Sequence, residues 1–207
     1  MKSKILTILI WIISLTWGFP MTLVGLFAIL ILSIQGKRFK KFGPIICFPI
    51  TDGWGLDLGV VAIVPKDFNF NTNCHEFGHC LQACLFGPIM PFVIAIPSVV
   101  RFWFRKQKSY DDKDNFLTVL HFLCIIVSCA IGIIGSIFQL VWAIVLGLFV
   151  IIYSFVINRL WLQETELVKY KNGQTPSYYD VWFERDATNY GKKCIKKYYP
   201  KEDKKQW

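Results

Sequence analysis

A chain of 207 residues is long enough for a globular domain, but 54% apolar content, 16% aromatics and a mean hydropathy of +0.44 exclude an ordinary soluble fold and point to a membrane protein. The 23 basic residues outnumber 14 acidic ones, for a formal charge of +9, and they cluster beside apolar runs without any nucleic-acid motif, so anionic lipid headgroups are the expected partner and nucleic acid is not. Seven cysteines with no CxxC pair argue against a secreted disulfide framework and against a cysteine-based zinc site.

The first apolar run, residues 5–34, exceeds the roughly 7–15 residues of a signal-peptide core and lacks a small-residue cleavage site, so it reads as a retained membrane segment. A crossing needs about 20 apolar residues; this run crosses once with tilt, kinked at Pro20. Lys37, Arg38, Lys40 and Lys41 follow and favour the cytoplasmic side. In "ICFPITDGWGLDLGVVAIVP" the spacing of Gly53, Gly55 and Gly59 between short apolar runs predicts a β-hairpin near residues 45–64.

A helix is expected to begin at Asn71–Asn73 and to break at Gly87–Pro88. The next apolar piece, "IMPFVIAIPSVVRFWF", carries Pro91 and Pro97, and basic clusters at both ends of this region favour a re-entrant path over a crossing. After the polar "KSYDDKDN", residues 116–158 are almost uninterruptedly apolar and predict two spans turning at Gly132–Ser136. Arg159 and the lysine-rich tail place the C-terminus in the cytoplasm. Within the tail, "TPSYYDVWFERDATNYG" predicts a helix capped by Thr175, with Pro176 first and Gly191 as its stop. The expected organisation is thus an α-helical integral membrane protein of the cell membrane, multi-pass, with segments 1–41, 42–70, 71–104, 105–162 and 163–207 and a small hairpin in the second of them.

The densest chemistry lies in "NCHEFGHC", residues 73–80. On a helix His75 and His79 stand one turn apart and about 40° off each other, so both imidazoles reach one cation. That is the His-Glu-x-x-His arrangement of zinc hydrolases, in which the glutamate, here Glu76, takes a proton from water beside the metal. Gly78 between the histidines costs about 1 kcal/mol against alanine in a helix, which suggests close approach of another backbone or of a substrate strand. Cys74 and Cys80 flank the motif closely enough to approach the same cation.

A catalytic zinc takes three protein ligands. The third histidine, His121, sits in an apolar run and fits a buried, hydrogen-bonded group as well as a ligand. On the predicted tail helix Asp180, Glu184 and Thr188 share a face. Glu184 is the expected third ligand, although pattern alone fits equally a solvated helix with Glu184 and Arg185 as surface charges.

The order "HEFGH", apolar segments, then "ERDAT" resembles the gluzincin class of integral membrane zinc metallopeptidases, which includes the heat-shock and CAAX-processing membrane proteases. Their later ligand is a Glu in an E-x-x-A-D setting; Glu184 and Ala187 match it, whereas Thr188 stands where the supporting Asp would be, leaving Thr188, Asp186 or Asn189 as substitutes. The early "WGFPMTLVG", "WGLDLG", "HEFGHCLQACLFGP", "IPS" and the late glutamate helix also resemble a group of small bacterial membrane proteins, in which Gln82 either touches the site or lies on the helix surface. Site-2 proteases share HExxH but use an Asp in a later LDG; "LDLG" at Leu56–Gly59 precedes the motif, and Asp57 reads as turn chemistry.

The expectation is a zinc metalloendopeptidase, with His75, His79 and Glu184 as metal ligands and Glu76 as general base. It would cleave peptide or membrane-protein substrates at the cytoplasmic membrane interface. The alternative is a non-catalytic metal-binding scaffold or immunity-type protein. A transporter ranks last, since residues 116–158 offer little polarity beyond His121, Gln139 and Asn158.

Overall fold

The N-terminal apolar run forms two helices, α1 (Lys2–Thr16) and α2 (Phe19–Ile34), set at 100° to one another. The bend falls at Trp17–Gly18, just before the expected Pro20, which stands in the first turn of α2 where its missing N–H breaks no hydrogen bond. In this computed structural model the described residues are 2–138 and 140–203; Gln139, the last lysines of the tail and the side chains of Arg159 and Asp203 lie outside them. The described residues fall into two compact units, 2–95 with 178–203, and 96–177.

In the first unit the predicted hairpin becomes part of a larger sheet of β1 (Lys40–Phe42), β2 (Ile45–Thr51), β3 (Leu56–Leu58) and β4 (Val61–Pro65), in the order β1-β2-β4-β3. Hairpins join β1 to β2 and β3 to β4, whereas β2 and β3 do not pair; β4 inserts between them and runs parallel to β2. The apolar runs of β2 and β4 explain this, because such strands take central positions while the short strand bearing Asp57 goes to the edge. Gly59, at φ 76°, supplies the left-handed residue of the tight β3–β4 turn.

Against the sheet lies α3 (Phe70–Phe86), the helix of the histidine motif. It starts earlier than expected because Asn69 is its cap, its side-chain oxygen accepting from the Thr72 N–H at 2.8 Å. It ends as expected at Gly87, followed by a 3₁₀ turn (Gly87–Ile89) and a π turn (Pro91–Ala95). Phe42, Phe48, Phe68 and Phe77 close the core between sheet and helix.

The second unit contains α4 (Ile96–Lys106), α5 (Tyr110–Ile137) and α6 (Val141–Phe155), the last continuing through a π-helical stretch (Val156–Leu167) into α7 (Val168–Lys171). Two helices, Tyr110–Ile137 and Val141–Lys171, are long and apolar enough to cross a membrane. The expected turn at Gly132–Ser136 is helical instead, and the chain turns after Ile137. Gly135 is there for packing: a Cβ on it would lie 2.8 Å from that of Ala143 on α6. His121 is half-buried, is hydrogen-bonded through Nδ1 to the Ser154 hydroxyl at 3.1 Å, and is not one of the three residues placed to hold a metal ion among the described residues. Arg101, wholly buried, pairs with Glu166 and donates to the Ser177 carbonyl, which removes the penalty of enclosing an unpaired charge.

The chain returns to the first unit in a 3₁₀ turn (Tyr178–Asp180), then α8 (Trp182–Tyr198) and the short α9 (Pro200–Asp203). The tail helix therefore starts after Thr175 and Pro176, leaves Asp180 outside it, and runs through Gly191 instead of stopping there.

Candidate metal centre

Helices α3 and α8 cross at two glycines. A Cβ on Gly78 would stand 1.9 Å from the Ala187 carbonyl oxygen, and one on Gly191 would stand 1.9 Å from that of Cys74. No larger residue fits either backbone approach. Gly78 is thus explained by a neighbouring helix, and Gly191, which reads as a stop signal in the sequence, is the reciprocal half of the same contact.

This crossing brings the wholly buried Glu184 of α8 beneath the histidine pair. Its Oε2 lies 3.1 Å from His75 Nε2 and 3.2 Å from His79 Nε2, and the two Nε2 atoms are 3.2 Å apart. Among the described residues, His75, His79 and Glu184 are the group that can hold a metal ion. A tetrahedral ion with ligands at about 2.0–2.2 Å separates its donor atoms by about 3.3–3.6 Å, within a few tenths of the spacing found.

The outer nitrogens fix which ring atom carries the lone pair. Thr188 donates its hydroxyl hydrogen to the Glu184 carbonyl at 3.1 Å, so its oxygen accepts from His75 Nδ1–H at 2.8 Å. Gln82 donates through Nε2 to the Phe183 carbonyl at 2.8 Å, which turns its Oε1 to accept from His79 Nδ1–H at 2.7 Å. Both Nε2 lone pairs then face a carboxylate oxygen. Three acceptors so close repel one another unless a metal ion or a proton lies among them.

Glu76 is 3% exposed and lies in the field of His75, His79 and Glu184. A Cβ on Gly55 would stand 2.1 Å from its Oε1, so a larger residue in the chain before β3 would push this side chain aside. Tyr178 and Tyr179 rest 6.1 and 5.9 Å from the His75 ring, a wall that the sequence does not announce. Thr188, of the three residues Thr188, Asp186 and Asn189, is the one that supports His75; Gln82 touches the site and is not mere helix surface. Comparisons of the chain with protein-family models, curated proteins and solved structures find no match.

Because Thr188 orients His75 from behind, Thr188→Val is expected to weaken metal binding about 10- to 100-fold. Competition against a chromogenic chelator measures this. Unchanged affinity would remove the hydroxyl from the ligand's support.

Proposed function

We propose that this chain is a membrane-embedded zinc metallopeptidase that hydrolyses peptide bonds at or near the cytoplasmic membrane interface. The convergence of two imidazole nitrogens and one carboxylate oxygen within 3.2 Å carries the reading, with Glu76 next in sequence to the first ligand. Two nitrogens and one oxygen suit zinc, which accepts three protein ligands and leaves a position for water. When bound, zinc supplies Lewis acidity, lowering the pKa of water towards about 7 and polarising a carbonyl.

His75, His79 and Glu184 would hold the ion, and the Nδ1–H bonds to Thr188 and Gln82 keep both rings aimed at it. Glu76 takes the proton released as water attacks the scissile carbonyl, and returns it to the leaving amine as the C–N bond breaks. The membrane setting is supported by the two long apolar helices and by exposed aliphatic side chains along them, such as Ile126, Ile133, Val145 and Ile152. The basic clusters at Lys37–Lys41 and in the tail support cytoplasmic, lipid-facing placement of those segments.

Metal analysis of the full chain purified in detergent tests the centre. Wild type is expected to carry roughly one zinc per chain, and His75→Ala and Glu184→Ala close to none. Equal zinc in wild type and Glu184→Ala would dismiss Glu184 as the third ligand.

A further inference from the structure

Asp57 stands in β3, which packs against α3, and Gly55 just before that strand lies against Glu76. Asp57 is 6% exposed and interacts electrostatically with His79 and Glu76. Its Oδ2 accepts from the Gly59 N–H at 3.1 Å, the local turn expected of this residue. Its Oδ1 is also buried and has no hydrogen-bond partner among the described residues. Thr22 on α2, wholly buried, has the same property at Oγ1, which sits 2.5 Å from where a Cβ on Gly59 would be. Two unpaired polar atoms from different elements thus abut one glycine, and native interiors rarely leave such atoms unsatisfied.

We propose that Asp57 and Thr22 build an internal water-binding niche beside the HExxH helix, and that Asp57 is a positioning residue ordering this water on the Glu76 and His79 side. Water fits because the Thr22 hydroxyl both donates and accepts, and a buried water needs two to four polar partners. A cation fits less well: Asp57 Oδ1 and Thr22 Oγ1 are two oxygen atoms, fewer than a buried hard cation takes. With Oδ2 taken by the Gly59 N–H, Oδ1 is the atom left to face the water. Asparagine reproduces that arrangement, its oxygen accepting from Gly59 and its amide donating. The niche stands by itself; its bearing on Glu76 rests on the metallopeptidase reading.

Radiolytic hydroxyl-radical labelling of the full chain in detergent, with thermal unfolding alongside, tests this. Val60, wholly buried beside the niche, is expected to label several-fold faster than the equally buried Phe48 in the sheet. Thr22→Val and Asp57→Leu lower that labelling and the Tm, and together lower the Tm by less than the sum of their separate shifts, because they share one water. Asp57→Asn leaves both near wild type. Val60 labelling no faster than Phe48 overturns the niche. So does an Asp57→Asn variant as damaged as Asp57→Leu, since it would show that a charged carboxylate, and hence a cation, is required. Should Asp57→Leu not fold, Thr22→Val and Asp57→Asn still decide. Zinc content separates the two readings: a protein without zinc whose Val60 labels fast keeps the niche and loses the peptidase, and a zinc-loaded protein with a slow Val60 does the reverse.

Discussion

Glu76→Gln is expected to leave the chain folded and metal-loaded while cutting hydrolysis about 100- to 10,000-fold, the usual contribution of a general base. The carboxylate is not among the three groups that converge on the cation position, so the imidazoles and Glu184 keep their geometry when it becomes an amide. Glutamine has nearly the same volume, which matters because Gly55 leaves no slack above the side chain. What is lost is the ability to accept a proton from water and hand it on. Cleavage of an unstructured peptide library, followed by mass spectrometry beside zinc analysis, reads both halves. A variant whose cellular role persists at full zinc content would favour a non-catalytic metal-binding scaffold.

Gly78→Ala is expected to destabilise the chain by about 3 kcal/mol or more, and to lower its zinc content although no ligand has been touched. The added methyl would sit 1.9 Å from the Ala187 carbonyl oxygen, far inside van der Waals contact, and the obstacle is backbone, which has no rotamer to move aside. Relief requires α3 and α8 to part, and parting them withdraws Glu184 from His75 and His79. Gly191→Ala meets the Cys74 carbonyl at the same distance and should behave alike. Thermal unfolding in detergent with parallel zinc analysis measures the effect. Wild-type values in both variants would mean that the helices do not cross at these glycines.

The two variants act at different levels. Glu76→Gln removes one proton acceptor from an intact scaffold, whereas Gly78→Ala disturbs the contact that assembles the scaffold around the metal position. Separate readouts of activity, zinc and stability therefore distinguish a failed mechanism from a failed fold. The expected patterns do not overlap.

Local chemistry explains why parts of this architecture are readable without coordinates. The histidine pair is legible because both residues sit on one helix, where a spacing of four guarantees a shared face. The break at Gly87–Pro88 and the two long apolar helices are legible for the same reason: each depends on neighbours in the chain. The hairpin expectation is met only in part, by β3 and β4, because strand order is not local. β4 displaces β3 from beside β2, and nothing within "TDGWGLDLG" records which strand occupies the centre. Gly132–Ser136 and Gly191 mislead in a common way, since glycine marks a turn and a close helix contact with the same letter.

By itself, then, the sequence determined the apolar character of the chain, the motif helix, the imidazole pair and Glu76, all set by composition or by spacing within a few residues. Only the tertiary structure decided that Glu184 belongs with that pair, that Thr188 and Gln82 hold the rings, and that Asp57 is enclosed beside them. Glu184 and Thr188 lie up to 113 residues from the histidines, and what joins them is the approach of α3 to α8 through two glycines, a property of two surfaces fitted together that no single stretch of chain contains.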